Sequence, residues 1–328
     1  MGLDTLISWA HGSWNPWMAC LKCALECLHC YIGDPNTGIL GKTDWQHPSV
    51  MSRDATAWPR PTQKPWGQVY LGKTTWGLPF KMQDGLDNLN ANQPVKTYKR
   101  LFTCSLSDFF HPLVDNYSLA PFIHEMENTR RLLKLTGSAN IDARDAAWAV
   151  IRNTPQIVYL VLTKRPERIL EHLPKDWGQG YPNVWLGTSV GCTKSLPKID
   201  ALRKVPIHPE AVRFVSSEPL LEDISHDINL DGIGWLIAGG ESGFGPEYTY
   251  DSNKTYQILQ EKQPGRRTMD LRWAYRLMLC AARKDIPFMF KQITAPNSGV
   301  GKDALGMIYQ NFPPPPNGGV WAAGKTHN

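Results

Sequence analysis

Four of the seven cysteines fall within eleven consecutive residues, at Cys20, Cys23, Cys27 and Cys30. Thiolates hold metal ions and iron–sulfur clusters, and clustered thiols in a reducing compartment more often bind metal than form disulfides. The first residues, MGLDTLISWAHG, lack the basic region and apolar stretch of a secretory signal, which favours the cytoplasm. The segment from residue 20 to residue 30 is therefore the first candidate for a chemical site.

Three kinds of metal site compete for these thiols. Two CxxC pairs are typical of zinc sites, but here three residues separate the pairs, whereas zinc ribbons usually place about a dozen or more between them. A four-cysteine [4Fe–4S] electron carrier fits the spacing only loosely. The C-x3-C-x2-C spacing of Cys23, Cys27 and Cys30 is that of radical S-adenosylmethionine (SAM) enzymes. In those enzymes three thiolates hold a [4Fe–4S] cluster, and the remaining iron binds SAM.

Such a site needs a body that positions it, and the rest of the chain has an α/β pattern. Short apolar runs suit parallel strands buried on both faces, at 101–105, 157–163, 184–189, 212–217, 235–240 and 287–291. One further strand is expected at 67–72, within a loop-rich stretch. Helical patterns cover 123–135 and 270–283, the second with Asp270 as its N-cap. Strands that alternate with helices predict βαβ units and a parallel sheet or partial barrel.

Polar or small residues follow most of the predicted strands. These strand ends are Ser105–Asp108, Thr163–Pro166, Thr188–Ser189, Ser216–Pro219, Gly239–Gly243 and Lys291–Gln292. Because ligands bind at the carboxyl ends of parallel strands, we expect the six ends to share one mouth. The alternative for Glu218 and Glu241 is an ion pair with a lysine or arginine of the mouth, which would only order the loops.

The chain divides into a main domain and a tail. Residues 1–295 are predicted to form one α/β barrel that includes a loop-rich insertion at 32–97, where Gly, Pro, Asn and Asp are frequent. Residues 296–328, with four consecutive prolines at 313–316, are predicted to form an extended C-terminal arm. No run of about 18 apolar residues occurs, so we expect no membrane partner.

Seven motifs in a fixed order, between residue 7 and about residue 292, carry a resemblance to a known family. They are ISWAHGSWNPWMAC, SLSDFFH, LTKRPERI, PNVWLGTSV, FVSSEPLL, WLIAGGESG and PFMFKQ. The chain resembles the phage-associated three-Cys-motif proteins, a radical SAM-like domain of unknown function. The resemblance implies a radical SAM-type partial (β/α) barrel. Its C-x6-C-x2-C spacing selects Cys20, Cys27 and Cys30, and leaves Cys23 as an alternate ligand or a structural thiol.

By analogy with radical SAM barrels, the strand ends are expected to contact SAM. Residues assigned in this way are Ser105, Ser107 and Asp108 for the amino group, Ser217 and Glu218 for the ribose, and Gly239, Gly240 and Glu241 for close backbone approach. The implied cofactors are a [4Fe–4S] cluster and SAM, and the cluster needs an electron donor.

The formal charge of +5 is compatible with an acidic partner such as nucleic acid. Together with the phage resemblance, it favours a radical SAM enzyme that abstracts hydrogen from a nucleobase in the host cytoplasm. A concrete version is isomerisation of an amino-acid-decorated thymine during phage DNA hypermodification, which evades restriction. Alternatives are a radical SAM enzyme that acts on a free nucleotide, tRNA or DNA photolesion, and a non-catalytic zinc protein that binds nucleic acid.

Overall fold

The computed structural model describes residues 7–18, 20–27, 30, 69–72, 75–138, 140–242, 267–295 and 298–323. Most of the predicted insertion, from residue 32 to residue 68, lies outside these ranges. Within the described residues no helix is both long and apolar enough to cross a membrane.

A parallel sheet forms the centre of the molecule. In chain order the strands are β1 Gly12–Trp14, β2 Trp17–Met18, β3 Tyr70–Leu71, β4 Thr97–Thr103, β5 Ile157–Thr163, β6 Val184–Ser189, β7 Arg213–Ser217, β8 Trp235–Gly239, β9 Phe288–Gln292 and β10 Val320–Trp321. The sheet has the order β1-β4-β5-β6-β7-β8-β9, with every pair parallel, and it curls into a half-barrel. The predicted α/β partial barrel is thus confirmed at this level.

In the part of the chain that the structure describes, five α-helices accompany the sheet: α1 Leu78–Asn90, α2 Thr129–Thr136, α3 Ala143–Arg152, α4 Pro197–Arg203 and α5 Leu271–Ala282. The prediction for α5 is confirmed, because the Asp270 carboxylate caps it by accepting a bond from the Arg272 N–H. The predicted helix 123–135 is interrupted, since Asn128 adopts a left-handed conformation and only α2 continues beyond it. The loop-rich prediction is wrong for α1, which falls within 32–97 and begins with Pro79 in its first turn.

The two faces of the sheet bury different apolar groups. The convex side packs against the helices, whereas aromatic rings fill the concave side, among them Trp9, Phe102, Trp185, Phe214 and Trp235. Alternate residues of each strand point to opposite faces, so β4 sends Leu101 outward and Phe102 inward. The rings therefore form a solid floor inside the half-barrel.

The chain after β9 returns to the amino ends of the strands. There β10 pairs with the first residues of β4, Val320 beside Thr97 and Trp321 beside Tyr98. The guanidinium of Arg100 lies 3.8 Å from the ring centre of Phe312 and 4.7 Å from that of Trp321. This cation–π contact closes the end of the half-barrel opposite the strand ends predicted to carry the site.

His11 joins this returning segment to the sheet. Its Nδ1 accepts a hydrogen bond from the Arg100 N–H at 2.9 Å, and its Nε2 donates to the Ala322 carbonyl at 3.0 Å. Only a neutral imidazole can make both bonds. Burial and the neighbouring Arg100 accordingly lower the pKa of His11 to about 4.

We expect this histidine to make the protein sensitive to acid. The unfolded chain takes up the proton near pH 6.5 and the folded chain only near pH 4, so stability held above pH 6.5 is lost as the pH falls towards 4. Between pH 7 and pH 4 the free energy of unfolding should fall by about 3 kcal/mol more in the wild type than in His11→Gln. Urea unfolding across this range measures the difference. The same change in the free energy of unfolding with pH in both proteins would contradict the prediction. The buried His111 does not affect the comparison, because it titrates in the wild type and in the variant alike.

Candidate functional site

A cavity of about 370 Å³ opens at the carboxyl ends of the strands. Its polar wall contains residues from the predicted strand ends, namely Ser105, Ser107, Asp108, Lys164, Arg165, Ser189, Ser216, Glu218, Gly240, Glu241 and Lys291. Its apolar floor includes Trp9, Phe102 and Leu162. The expectation that the six strand ends share one mouth is confirmed.

The cysteine segment forms another side of the same cavity. Cys20, Cys27 and Cys30 line it, whereas Cys23 is exposed and lies outside the lining. Cys27 is buried, and Cys20 and Cys30 are half-buried. The three thiols that the family spacing selects therefore all face the cavity, and the buried Cys104, at the end of β4, lines it as well. Within the described residues, no three histidine, cysteine or acidic side chains converge on a single point as ligands of one metal ion.

The thiols differ in their electrostatic environments. A hydrogen bond from the Cys23 thiol, with help from Lys164, lowers the pKa of Cys27 to about 5. Burial, with Cys30 nearby, instead raises the pKa of Cys20 above its usual value. The lowered pKa favours the thiolate form of Cys27, which is the form that binds metal.

Lys164 supplies positive charge beside these thiols. Burial alone would lower the pKa of Lys164, but Cys27, Cys30 and Glu26 raise it above its usual range. Its ammonium donates to the Ser189 hydroxyl at 3.2 Å, across from β5 to β6. The lysine stays protonated and offsets negative charge on the cysteine segment.

Arg165 fastens the first half of that segment to the sheet. Its Nη2 donates to the Leu21 carbonyl at 2.6 Å, and its Nη1 lies 3.4 Å from a carboxylate oxygen of Asp108. Both charged side chains are more than nine-tenths buried. Arg165 therefore holds the residue next to Cys20 against the end of β5, which fixes the position of Cys20.

Asp108 is the fixed point of this arrangement. Its carboxylate accepts hydrogen bonds from the Phe110 N–H at 2.9 Å, the Thr163 hydroxyl at 2.7 Å and the Lys164 N–H at 3.0 Å. Burial would raise the pKa of Asp108, but Arg165 and these donors lower it below its usual value. Although it lines the cavity as predicted, its oxygens are already engaged, so its part is to brace the loops.

Glu26 holds the second half of the cysteine segment in place, a role that was not predicted from the sequence. This buried carboxylate accepts a hydrogen bond from the Gly191 N–H at 3.0 Å, and its other oxygen lies 3.9 Å from the Lys198 ammonium. A side chain on Gly191 would place a Cβ 2.0 Å from the Pro219 carbonyl, so the close approach requires glycine. The signal in the sequence that could have indicated this role is that Glu26 is the one acidic residue between Cys23 and Cys27.

Side chains along β7 point alternately to the two faces of the sheet, and this alternation decides which serine reaches the cavity. Phe214 and Ser216 point to the concave face, and Val215 points to the convex one. Ser217 shares the parity of Val215, is fully buried and is not among the lining residues. The serine beside Glu218 in the cavity is therefore Ser216, and the assignment of a ribose contact to Ser217 is corrected.

The remaining predicted residues have partners of their own. Glu241 accepts from the Arg267 side chain and, at 2.9 Å, from the Arg267 N–H. A Cβ on Gly240 would lie 2.2 Å from the Thr294 nitrogen, so this glycine makes room for the neighbouring chain. The Ser105 hydroxyl accepts from the Asn15 side-chain amide at 2.8 Å, which ties the end of β4 to β1. Glu218 forms an ion pair with Lys291, as the alternative interpretation of the sequence allowed.

Comparison with known families matches two stretches of the chain, residues 4–136 and 135–251, to DUF5131, described as a protein of unknown function. The chain belongs to the DUF5131 family. The match spans the cysteine segment and the strand ends from β4 to β8, which build most of the cavity. No curated protein and no solved structure matches the chain.

Proposed function

We propose that this DUF5131 protein is a radical SAM enzyme that modifies a nucleobase. The observation that carries the proposal is the shared cavity: Cys20, Cys27 and Cys30 face it together with polar strand ends of a parallel half-barrel. An electron carrier or a structural zinc site needs no such cavity. An enzyme that must hold a reagent beside its cluster does.

The donor set fits a three-cysteine [4Fe–4S] cluster. Three thiols of the cysteine segment border one cavity, the pKa of Cys27 is lowered, and Lys164 lies within electrostatic reach. Cys23, which hydrogen-bonds Cys27 from outside the lining, is the alternate ligand. With cluster and SAM bound, the site would gain a 5′-deoxyadenosyl radical, which attacks unactivated C–H bonds.

The residues of the chain itself hold and shield the reactants. Arg165 and Glu26 fix the cysteine segment from two sides. Trp9, Phe102 and Leu162 form a largely apolar floor, which would limit the access of water to a reactive intermediate. Ser105 and Ser107, at the end of β4, line the cavity and would contact polar groups of SAM there.

A nucleobase is the proposed substrate because of the phage resemblance, the net positive charge and the polar wall that extends to β9. The specific version is isomerisation of an amino-acid-decorated thymine in phage DNA, which protects the genome from restriction in the host cytoplasm. Duplex DNA would have to present a flipped base to reach the cavity.

Anaerobic reconstitution with iron and sulfide tests the proposal. We expect about four irons per chain and, after reduction in the presence of SAM, release of 5′-deoxyadenosine. Stoichiometric zinc without iron would refute the radical chemistry and favour the zinc alternative. Mass spectrometry of nucleosides from phage DNA, with and without the gene, tests the substrate. Unchanged nucleosides would point to a free nucleotide, tRNA or photolesion.

A further inference from the structure

A buried charge pair lies in the wall formed by β7, β8 and β9. The Lys291 ammonium on β9 is 3.1 Å from Oε1 of Glu218, which follows β7. Their side chains are only 15% and 11% exposed, yet both line the cavity. Because desolvating two charges costs several kcal/mol, a pair at this depth calls for an explanation beyond loop ordering.

Gly239 lets the two side chains meet. It lies on β8, between β7 and β9, and a Cβ there would stand 2.9 Å from Oε1 of Glu218 and 3.4 Å from Cβ of Lys291. Any other residue would push into the space that the pair occupies. The glycine that was expected to admit a ligand to the backbone instead admits these two side chains.

The pair has hydrogen-bonding capacity left over. Oε2 of Glu218 accepts from the Ser216 hydroxyl at 3.1 Å, whereas Oε1 has only the ion pair with Lys291 among the described residues. An ammonium has three donors, and the ion pair uses at most one of them. Hydrogen-bonding capacity that stays unused in a buried wall is costly, so a ligand that supplies a further partner to each group gains affinity here.

The signs of the charges restrict the ligand. A phosphate would be attracted by Lys291 and repelled by Glu218, and a simple cation would meet the reverse. A zwitterion, with an ammonium and a carboxylate on neighbouring atoms, satisfies both groups at once. We propose that Glu218 and Lys291 bind the ammonium and the carboxylate of an amino-acid group carried by the substrate. This inference rests on the proposed function, since it names the part of the substrate that the wall recognises.

Binding of three nucleosides to the anaerobically reconstituted protein, measured by calorimetry, tests the inference. The first is thymidine with glycine attached through nitrogen to its 5-methyl group; the second carries glycinamide and lacks the carboxylate; the third carries an ether-linked glycolate and lacks the ammonium. We expect the wild type to bind the glycine compound at least about tenfold more tightly than either analogue. Lys291→Met should abolish the preference over glycinamide, and Glu218→Gln the preference over glycolate.

Two controls keep the result interpretable. Lys194→Met removes an exposed lysine and should leave all three affinities unchanged. Glu218→Lys with Lys291→Glu keeps a charge pair, so a fold that needs only the pair survives, whereas selectivity for glycine should be lost. Equal weakening of all three compounds by Lys291→Met and Glu218→Gln would show that the pair is structural and would overturn the inference.

SAM also carries an amino-acid group, so a further binding measurement distinguishes recognition of SAM from recognition of the substrate. If Lys291→Met weakens S-adenosylhomocysteine by the same factor as the glycine nucleoside, the pair serves the methionine group and the assignment to substrate is wrong. Formation of 5′-deoxyadenosine is followed in wild-type samples. Its absence despite selective binding would refute the radical chemistry alone, and its presence without selectivity would refute the subsite alone.

Discussion

Replacing Cys27 with alanine is expected to abolish iron retention and to lower 5′-deoxyadenosine formation by more than about a hundredfold. Cys27 is the buried member of the three thiols that the cysteine segment places in the cavity, and its pKa is lowered, to about 5. No other described thiol combines these properties. Cys30→Ala should behave in the same way, because Cys30 faces the same cavity. Iron analysis and chromatography of the SAM products measure both effects.

The other cysteines provide matched controls. Cys280 lies on α5, away from the cavity lining, and donates to the Ser225 carbonyl, so Cys280→Ala should retain iron and activity. Cys20→Ala should lose iron and Cys23→Ala should keep most of it, since only Cys20 lines the cavity. If Cys23→Ala loses the cluster and Cys20→Ala does not, the C-x3-C-x2-C spacing is the correct one. Full activity in Cys27→Ala would disprove the proposed site.

Replacing Asp108 with alanine should lower the free energy of unfolding by about 3–5 kcal/mol. The carboxylate is buried, and its removal leaves the equally buried Arg165 without its counter-charge. The Thr163 hydroxyl and the N–H groups of Phe110 and Lys164 lose their acceptor as well. Urea unfolding monitored by tryptophan fluorescence measures the loss.

An exposed ion pair serves as the comparison. Asp84 contacts Arg131 at 2.8 Å, but more than a third of each side chain is exposed. Asp84→Ala should therefore cost less than about 1 kcal/mol. Asp108→Asn keeps hydrogen-bond acceptors while removing the charge, and should fall between the two alanine variants. A cost for Asp108→Ala as small as that for Asp84→Ala would show that Asp108 does not brace the loops.

The sequence predicted the sheet well because strands buried on both faces leave a strong local signal. The boundaries of β5 and β6 agree with the apolar runs 157–163 and 184–189, and the polar residues after each strand do meet in one cavity. Parallel pairing brings carboxyl ends together whatever the details of the helices. The location of the site could therefore be predicted from the sequence, although its individual contacts could not.

The contacts themselves depend on tertiary structure that a single sequence does not display. Glu26 reaches Gly191 across 165 positions, a pairing that no local pattern indicates. Ser216 and Ser217 are neighbours of equal chemistry, and only the pleat of β7 separates them. Likewise α1 was missed because glycine and proline are frequent around it, while its burial against the sheet outweighs their low helix propensity.

The two contacts that hold the cysteine segment, Leu21 with Arg165 and Glu26 with Gly191, determine whether folding or cluster insertion comes first. The thiols are synthesised first, but the groups that place them, Arg165 and Gly191, follow Leu21 and Glu26 by 144 and 165 residues. At a typical rate of about 5–20 residues per second, the cysteines wait roughly seven to thirty seconds for their partners. Iron that arrives during this interval meets thiols on an unorganised chain. We therefore expect cluster insertion to be a late step that acts on an already folded half-barrel, and the nascent chain to be most vulnerable to oxidation before β6 is complete.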